Sequence, residues 1–410
     1  VEVTKVASDP AAPAAPVLEG ARRLGVKGQS VLNHASTMGL NAVITRRLPK
    51  VAFLTTEGHR DMLTKGRGWR PLDGQTDPGW RRSFGDPARP LVPRYLRRGI
   101  VERVLADGSV LVPLDEAQAR RQLAVLTRCR VEGIAICLLN AYVRAEHEHR
   151  LRELALDVLG DLPISISSET SPLAKEYTRA STTVVDVFMK LIFTGYARTL
   201  DAGLTELGFG GELNFADCAA SLLPLAEALE QPHRIVFAGP AAGTVSCARL
   251  GEALGDDRLI CCDVGGTSTD VSLVLEGRPS ISDTFELEHD LVINALSTEV
   301  ASVGAGGGSI VSISSSGDVV VGPASAGADP GPACYGRGGR AATLTDACLL
   351  MGILDRDAFA GGELRLDEER ARRAFADLDS PLGFGQRVSF AYRIAVANIA
   401  EEVTNVAIRH

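Results

Sequence analysis

The chain has 410 residues, which is more than one hydrophobic core usually supports, so at least two domains are expected. Its net charge of −8 argues against an electrostatic nucleic-acid binder, and no apolar run approaches the length of a membrane span. Eight cysteines in a chain of this length do not make a disulfide scaffold, so a reducing, cytoplasmic location is expected.

The first part of the chain alternates predicted strands and helices. An Ala/Pro-rich connector at 7–16 leads into a helix at 18–24. The Asp107-Gly108 turn predicts a hairpin over 101–112. Strands at 51–55, 133–139 and 164–168 with helices at 116–129 and 148–159 predict a parallel, helix-covered α/β sheet. Residues 66–93 lack periodicity and predict a long functional loop, where we expect substrate choice to be encoded.

The next part is mainly helical. Apolar residues at helical spacing predict one or two helices over 178–207, and that stripe is read as core packing rather than a cofactor site. A strand is predicted at 235–237, followed by a helix from Gly239 to Leu254. The N–H groups at the start of this helix either meet an anion or belong to a tight strand-to-helix turn.

The most informative motif lies between two apolar runs. Leu259 and Ile260 lead to an aspartate, a double glycine, three hydroxyl residues and a second aspartate. This pattern predicts a β-hairpin over 259–275, because adjacent glycines allow positive φ and leave no Cβ between backbone N–H groups and an anion. The predicted phosphate-binding residues are Gly265, Gly266, Thr267, Ser268 and Thr269.

Asp263 is the predicted metal ligand and catalytic residue. It follows the strand and is placed to hold Mg²⁺ through water, since Mg²⁺ keeps several waters and takes few carboxylates. Asp270 is the second predicted catalytic residue of the hairpin, and it either binds metal or braces the hairpin by accepting backbone N–H bonds. The groups that phosphoryl transfer requires therefore lie within eight residues of each other.

A second glycine-rich loop follows the predicted hairpin. It does not match the dinucleotide-binding pattern. A serine stands at the sixth position, and the loop lacks a clear strand–helix frame with a downstream acid. We expect its backbone N–H groups to contact a nucleotide or phosphorylated intermediate, since three consecutive glycines are entropically unfavourable without a close-approach reason. The alternative is a flexible surface loop. The predicted contact residues are Gly304, Gly306, Gly307, Gly308 and Ser309.

The hairpin motif resembles the second phosphate hairpin of the actin and sugar-kinase ATPase superfamily, and further segments narrow the resemblance to the hydantoinase A/5-oxoprolinase family. These segments occur in order along nearly the whole chain. They are His34-Ala35-Ser36-Thr37 with Asn41, Thr55 to Asp61, Glu176 to Thr183, Ala238 to Gly243, Gly304 to Ile310, Val321 to Gly327, Pro330 to Gly339 and Thr345-Asp346-Ala347.

The resemblance implies an actin-like or sugar-kinase-type ATPase fold with ribonuclease H-like halves. It implies a hydantoinase/oxoprolinase N-terminal region at 1–170 and a core with the phosphate hairpin at 171–410. It also implies that ATP and Mg²⁺ activate a hydantoin, 5-oxoproline, another lactam or a ketone by phosphorylation, before hydrolysis or carboxylation. The expected partner is a hydantoinase B-like subunit in a hetero-oligomer.

Polar residues inside the matching segments are further candidates. His34, Arg179 and Asp346 are raised as catalytic residues by the resemblance alone, and Gly239 as a cofactor contact also by its position at a helix start. Arg179 could pair with a carboxylate or phosphate, and Asp346 could orient a base or accept from a substrate amide. A helix cap or buried salt bridge is an equally open interpretation of each.

The chain also departs from the family pattern. The family's first Asp-Ile-Gly-Gly-Thr hairpin and its glycine-rich adenosine segment are not found among these residues. We expect the 410 residues to be an internal piece of a longer polypeptide. The alternative hypothesis is a non-catalytic structural subunit of a hydantoinase or carboxylase complex, with a degenerate ATP site.

Overall fold

The computed structural model describes residues 2–6, 9, 12–46, 48–65, 90–288 and 291–409. Most of the loop predicted at 66–93 lies outside them. The α-helices, in chain order, are α1 (Ala14–Arg23), α2 (Met38–Thr45), α3 (Met62–Lys65), α4 (Glu116–Cys129), α5 (Glu146–Leu159), α6 (Ser167–Thr170), α7 (Glu176–Glu206), α8 (Leu225–Glu230), α9 (Ala238–Leu254), α10 (Leu344–Leu350), α11 (Glu368–Ala376) and α12 (Phe384–Arg409).

The strands in the described residues form several small sheets. In chain order they are β1 (Val31–His34), β2 (Val51–Thr56), β3 (Arg97–Ile100), β4 (Arg103–Val104), β5 (Val110–Val112), β6 (Gly133–Cys137), β7 (Ile164–Ile166), β8 (Glu212–Ala216), β9 (Leu222–Pro224), β10 (Leu259–Val264), β11 (Thr269–Leu275), β12 (Arg278–Pro279), β13 (Ile281–Glu288), β14 (Leu291–Thr298), β15 (Val300–Val303), β16 (Ser309–Ile313) and β17 (Val319–Ser325).

The chain divides into two compact units. Unit 1 contains Val1–Ala242 and Ile281–Ser297, and unit 2 contains Gly243–Ser280 and Thr298–His410. The division of the sequence into 1–170 and 171–410 remains a prediction about family regions. It differs from these units because α7 packs on β6 and so belongs to unit 1.

A parallel sheet of order β3-β2-β6-β7 organises much of unit 1. Every strand pair in it is parallel, which confirms the predicted α/β arrangement. Strands β2 and β6 are buried along their whole length, as expected where helices cover both faces of a parallel sheet. Helix α4 begins at its N-cap Asp115, whose side chain accepts the Gln118 N–H at 2.9 Å.

A second sheet in unit 1, of order β1-β8-β9, holds the segment that contains His34. Strand β1 runs parallel to β8 and brings His34 opposite Phe215. The strand predicted at 235–237 is wrong. A 3₁₀ helix occupies Pro232–Ile235 instead, with proline in its first turn, and α9 then begins at Ala238. A buried apolar run of three residues is too short for periodicity to distinguish strand from helix.

The β10–β11 hairpin is the central element of unit 2. Strand β11 pairs with β10 on one side and with β12 and β15 on the other. Helix α9 packs on one face, where Ala248 meets Cys261 and Val274. Helix α12 packs on the opposite face of the hairpin, where Val406 meets Val271. No helix in the described part of the chain is long and apolar enough to cross a membrane.

Candidate functional site

The sequence-predicted β-hairpin over 259–275 is confirmed. Strands β10 and β11 are antiparallel and place Val264 opposite Thr269. The connection is closed by the Gly265 N–H, which donates to the Ser268 carbonyl oxygen at 2.9 Å. Neither Gly265 nor Gly266 adopts the left-handed conformation, so the predicted use of positive φ is wrong. Both glycines are exposed and leave the tip of the hairpin without side chains.

A pair of carboxylates lies at the tip end of the hairpin. Asp263 and Asp270 are directly opposite each other, so their side chains emerge from the same face of the sheet. Ser302 lies opposite Asp270 on the neighbouring strand β15 and donates a hydrogen bond to its carboxylate. The row therefore contains two acids and a hydroxyl. Asp263 and Ser302 are exposed, and Asp270 is half-buried.

The surroundings of Asp270 favour its neutral form. Burial, with the charge of Asp263 as a smaller cause, raises the pKa of Asp270 above its usual value, although the Ser302 hydrogen bond opposes this. Two like-charged carboxylates on adjacent strands repel each other in the absence of a cation. Mg²⁺ would relieve that repulsion while keeping most of its waters, so the donor set fits Mg²⁺.

The hairpin tip also fits an anionic ligand. Among the described residues, the N–H groups of Gly266 and Thr267 have no hydrogen-bond acceptor, and both residues are exposed. A Cβ built on Gly266 meets nothing within 4 Å, so open space lies beside this backbone. Exposed N–H groups in a turn without side chains are suited to phosphate oxygens. The Thr267 hydroxyl lies 3.4 Å from the Ser325 hydroxyl, and the Thr269 hydroxyl is turned inward.

The second glycine loop lies directly behind the tip. The Gly307 N–H donates to the Gly265 carbonyl oxygen at 3.0 Å, and the Gly308 N–H donates to the Gly266 carbonyl oxygen at 2.5 Å. The Gly306 N–H donates to the Ser309 hydroxyl at 2.8 Å. Because these N–H groups have protein partners, the predicted nucleotide contact through them is not what the geometry supports. The loop braces the hairpin tip.

Close approach explains why this loop requires glycine. A Cβ built on Gly306 would lie 2.7 Å from the Thr267 carbonyl carbon and 2.8 Å from both the Gly265 oxygen and the Ser268 nitrogen. Real Cβ atoms do not approach backbone so closely. The Thr269 hydroxyl donates to the Ala305 carbonyl oxygen at 2.5 Å and fixes the start of the loop. Gly304 precedes this contact and is exposed.

Asp346 lies inside unit 2 and forms a capping box at the start of α10. Its carboxylate accepts the Thr343 N–H at 2.9 Å and the Cys334 N–H at 2.8 Å, and the Thr343 hydroxyl at 2.7 Å. The side chain is completely buried. The structure therefore gives Asp346 the role of a helix cap, one of the two interpretations left open by its sequence. Its neighbour Thr345 donates N–H and hydroxyl to the Gly307 carbonyl oxygen at 2.7 and 2.8 Å.

His34 and Gly239 belong to unit 1. The His34 Nε2 lies 2.6 Å from the Tyr196 hydroxyl, and the ring meets Phe215 edge-on. Burial lowers the pKa of His34 to about 4, so the imidazole is neutral at neutral pH. Gly239 lies in the first turn of α9, where an added Cβ would come within 2.9 Å of the Thr37 methyl group. Their predicted catalytic and cofactor-binding roles remain predictions.

Arg179 is buried within unit 1, in the first turn of α7. One guanidinium nitrogen, Nη2, donates to the Leu138 carbonyl oxygen at 3.0 Å and to the Ser167 hydroxyl. The other two nitrogens have no hydrogen-bond partner among the described residues. Both of its hydrogen-bond partners follow strands of the parallel sheet, so Arg179 lies at the carboxyl ends of β6 and β7.

Sequence reasoning did not find three residues that support the hairpin. Ser302 reaches Asp270 through strand pairing between β11 and β15. Thr345 holds the carbonyl of Gly307, and the Ser325 hydroxyl lies beside Thr267. Thr345 and Ser325 lie in segments that carry the family resemblance, but no pattern there indicated contact with the hairpin, and Ser302 lies outside those segments. By contrast, the Thr343-x-x-Asp346 spacing is a capping-box signal and could have been interpreted from the sequence.

Solved structures share this architecture. The nucleotide-free structure of acetone carboxylase, from work on ATP-dependent acetone carboxylation, superposes with a TM-score of 0.83 at 26% identity. The match covers 97% of this chain and 58% of that chain. The chain is accordingly a mixed α/β protein with an actin-like ATPase-type fold, as the sequence predicted.

Family models and curated relatives identify the protein family to which the chain belongs. The hydantoinase/oxoprolinase model matches residues 179–410, and the model of the hydantoinase/oxoprolinase N-terminal region matches residues 1–159. The chain therefore belongs to the hydantoinase/oxoprolinase family. It is 33% identical to caprolactamase subunit alpha of Pseudomonas jessenii, over 90% of this chain and 52% of that protein. It is 32% identical to the acetophenone carboxylase gamma subunit of Aromatoleum aromaticum, over 86% of this chain and 49% of that protein. The chain thus spans about half the length of the curated relatives it matches.

Proposed function

We propose that this chain carries a nucleotide-phosphate site of an ATP-dependent enzyme subunit that phosphorylates a cyclic amide or a ketone. The observation that carries the proposal is the cross-strand pair of Asp263 and Asp270 beside a hairpin tip, whose Gly266 and Thr267 N–H groups have no acceptor among the described residues. A cation site and an anion site lie next to each other there. Nucleotide phosphates with Mg²⁺ present both charges in one ligand.

ATP would supply the phosphoryl group, and Mg²⁺ would neutralise charge that develops on the transferred oxygens. The N–H groups of Gly266 and Thr267 would hold phosphate oxygens, and Asp263 would hold the metal through water. Asp270, oriented by Ser302, would fix the position of that water shell. The second glycine loop would keep the tip rigid, because the N–H groups of Gly307 and Gly308 donate to the tip carbonyl oxygens.

Phosphorylation explains why such an enzyme would use ATP. An amide or ketone oxygen is a poor leaving group, and a phosphorylated oxygen is a good one. Names of relatives support both substrate classes, since one is a caprolactamase subunit and another an acetophenone carboxylase subunit. The proposal therefore includes lactams, hydantoin, 5-oxoproline and ketones, followed by hydrolysis or carboxylation.

The proposal includes a hetero-oligomer with a hydantoinase B-like partner. Relatives named as alpha and gamma subunits support an assembly of several chains. No group of three or more His, Cys, Asp or Glu side chains in the described residues could hold a metal by itself. Light scattering on natively purified protein would show a second chain, and full activity from the single subunit would refute this part.

Asp263→Asn in the complete protein tests the assignment. Removing the charge while keeping the shape should lower substrate-dependent ADP release by about a hundredfold or more, as for loss of one key electrostatic group. The thermal midpoint without nucleotide should barely change, because Asp263 is exposed. Asp257→Asn, an exposed acid before β10, is the matched control and should leave turnover unchanged.

The alternative of a non-catalytic structural subunit gives a different result. It predicts a lower thermal midpoint in Asp263→Asn, from loss of a turn brace, with near-normal turnover of the folded fraction. Unchanged ATP turnover in this variant would falsify the catalytic assignment.

A further inference from the structure

The strand order of the parallel sheet in unit 1 changes direction between β2 and β6. From β2 the chain passes to β3 on one side, while β6 lies on the other side of β2 and is followed outward by β7. The sheet therefore has a topological switch point between β2 and β6. In open parallel α/β sheets, ligands bind beyond the carboxyl ends of the strands at such a point.

Two buried side chains at this end have polar atoms without a hydrogen-bond partner among the described residues. Thr55 is the penultimate residue of β2, and its hydroxyl is buried without a partner in the described part of the chain. Arg179 is buried, and its Nε and Nη1 likewise have none among those residues. Buried polar groups without partners are rare in native proteins, because each loses its hydration without compensation.

The two groups lie on one face of the sheet. Thr55 is in register with Cys137 of the parallel strand β6, so both side chains point to the same side. The Cys137 thiol lies 3.8 Å from the Glu176 carbonyl oxygen, which places this face under the first turn of α7. Arg179 is in that same turn.

The charge of Arg179 is only partly compensated. The closest carboxylate oxygens are Glu176 Oε1 at 3.7 Å from Nη1 and Glu148 Oε1 at 3.8 Å from Nη2, both beyond hydrogen-bond distance. Glu148 accepts the Leu138 N–H at 2.8 Å and the Ser167 hydroxyl at 2.6 Å. Burial raises the pKa of Glu148, against the effect of these hydrogen bonds, which weakens it as a counter-ion.

Further groups at the same end favour a negatively charged ligand. Helix α7 has 31 residues, and its N-cap Lys175 makes no side-chain capping hydrogen bond. The positive end of a long helix dipole therefore faces this region. Arg103 Nη1 lies 3.5 Å from His59 Nε2, just beyond β2. The Tyr142 ring, half-buried, covers the guanidinium at 5.3 Å from its Cζ.

We propose that the carboxyl end of β2 and β6 is a binding site for a small planar oxyanion of the carboxylate class. Arg179 Nε and Nη1 donate to the ligand oxygens, and the Thr55 hydroxyl contacts the same ligand. Guanidinium offers only donors, and its planar fork matches carboxylate geometry. The Tyr142 side chain must turn aside to admit the ligand. The residues of this site belong to unit 1, whereas the hairpin belongs to unit 2, and the inference does not rest on the proposed function.

If the Thr55 hydroxyl served only to stabilise the fold, its removal would lower the stability of the ligand-free protein. A ligand-binding role predicts no such loss. Replacing a hydroxyl that has no protein partner by an isosteric methyl removes an unsatisfied group, so Thr55→Val should leave the ligand-free protein equally or more stable. Thr183→Val is the matched control. Its hydroxyl, one turn further along α7, already has a protein partner, because it donates to the Arg179 carbonyl oxygen at 2.7 Å.

The test uses sodium acetate and sodium bicarbonate as probes, with sodium chloride at equal ionic strength as the reference. Each is titrated into the intact protein while the thermal midpoint and the heat of binding are measured. The midpoint of the parent protein should rise with the carboxylate-type probes. Thr55→Val should start at an equal or higher midpoint and lose most of the rise. Thr183→Val should start lower and keep it.

Arg179→Lys keeps the charge but removes the fork, so it should abolish the response to the probe. If that variant fails to fold, Thr55→Val still decides. No response of the parent protein beyond chloride would overturn the proposal. So would an undiminished response in Thr55→Val, or a response to inorganic phosphate alone, which would refute the planar class.

Discussion

Two glycine-rich segments of unit 2 meet at the candidate site and use glycine for opposite reasons. At the hairpin tip, Gly266 has open space on the side where a Cβ would lie, and its N–H is free among the described residues. In the loop behind it, Gly306 has three backbone atoms within 2.8 Å of a built Cβ. Its N–H and those of Gly307 and Gly308 are bound to the protein.

The comparison shows that a run of glycines does not by itself indicate a ligand contact. Absence of a side chain leaves either room for a ligand or room for another part of the backbone. The space around each glycine and the hydrogen-bond partners of its N–H group distinguish the two uses. Here the shorter run at the tip offers donors, and the longer run in the loop holds that tip in place.

Among the substitutions that test this comparison, Gly306→Ala should cause the largest loss of stability. The new methyl group would clash with backbone atoms of the tip, which cannot move aside as a side chain can. We expect destabilisation of about 2–3 kcal/mol, as for severe overpacking, together with loss of nucleotide binding. Denaturant unfolding measures the first and nucleotide titration the second. An unchanged unfolding midpoint would show that the loop is not packed on the tip.

Gly266→Ala is the matched change on the other side of the contact. Its methyl group would enter open space, so stability should stay unchanged. The same methyl would obstruct the approach of phosphate, and we expect about a tenfold loss of nucleotide affinity, equivalent to about 1.4 kcal/mol. Calorimetric titration with nucleotide and Mg²⁺ checks this. Normal affinity with normal stability would remove the tip from the proposed phosphate site.

The pH dependence of Mg²⁺ binding sharpens the role assigned to the carboxylate pair. Because the pKa of Asp270 is raised, the folded chain keeps this proton to higher pH than the unfolded chain does. The stability linked to protonated Asp270 is therefore fully present below the usual carboxyl pKa and is lost as pH rises through the raised pKa. Mg²⁺ must displace this proton, so stabilisation by Mg²⁺ should grow over the same window.

Thermal midpoints with and without Mg²⁺ across the acidic range measure this effect. Asp270→Asn is the control and should flatten both curves. A Mg²⁺ effect that is equal at all pH values would exclude Asp270 from the metal site.

Gly195→Ala should change the stability least, and it should raise it rather than lower it. Gly195 is exposed within α7, and a built Cβ meets nothing within 4 Å. Since alanine is the better helix former, the substitution should stabilise the protein by about 0.5–1 kcal/mol. A thermal melt in nucleotide-free buffer tests it. Destabilisation would mean that this glycine also serves a close contact.

The sequence determined the parts of the fold that depend on neighbouring residues. Helix α4 occurs over the residues predicted from its apolar spacing, and the hairpin occurs where an apolar run meets a double glycine. The pairing of Asp263 with Asp270 follows from the hairpin register once the turn is fixed. Strand and helix could not be distinguished at 235–237, because three apolar residues satisfy either period.

Tertiary structure alone decided which polar groups are free and which are already bound. The second glycine loop was predicted to contact nucleotide, but the N–H groups of Gly307 and Gly308 donate to the tip and that of Gly306 donates to Ser309. Asp346 was a catalytic candidate, but its carboxylate closes a buried helix cap. Arg179 is buried beside segments distant in sequence, and two of its nitrogens have no hydrogen-bond partner among the described residues. Sequence specifies the hydrogen-bonding capacity of each residue, whereas long-range packing decides which partner uses it.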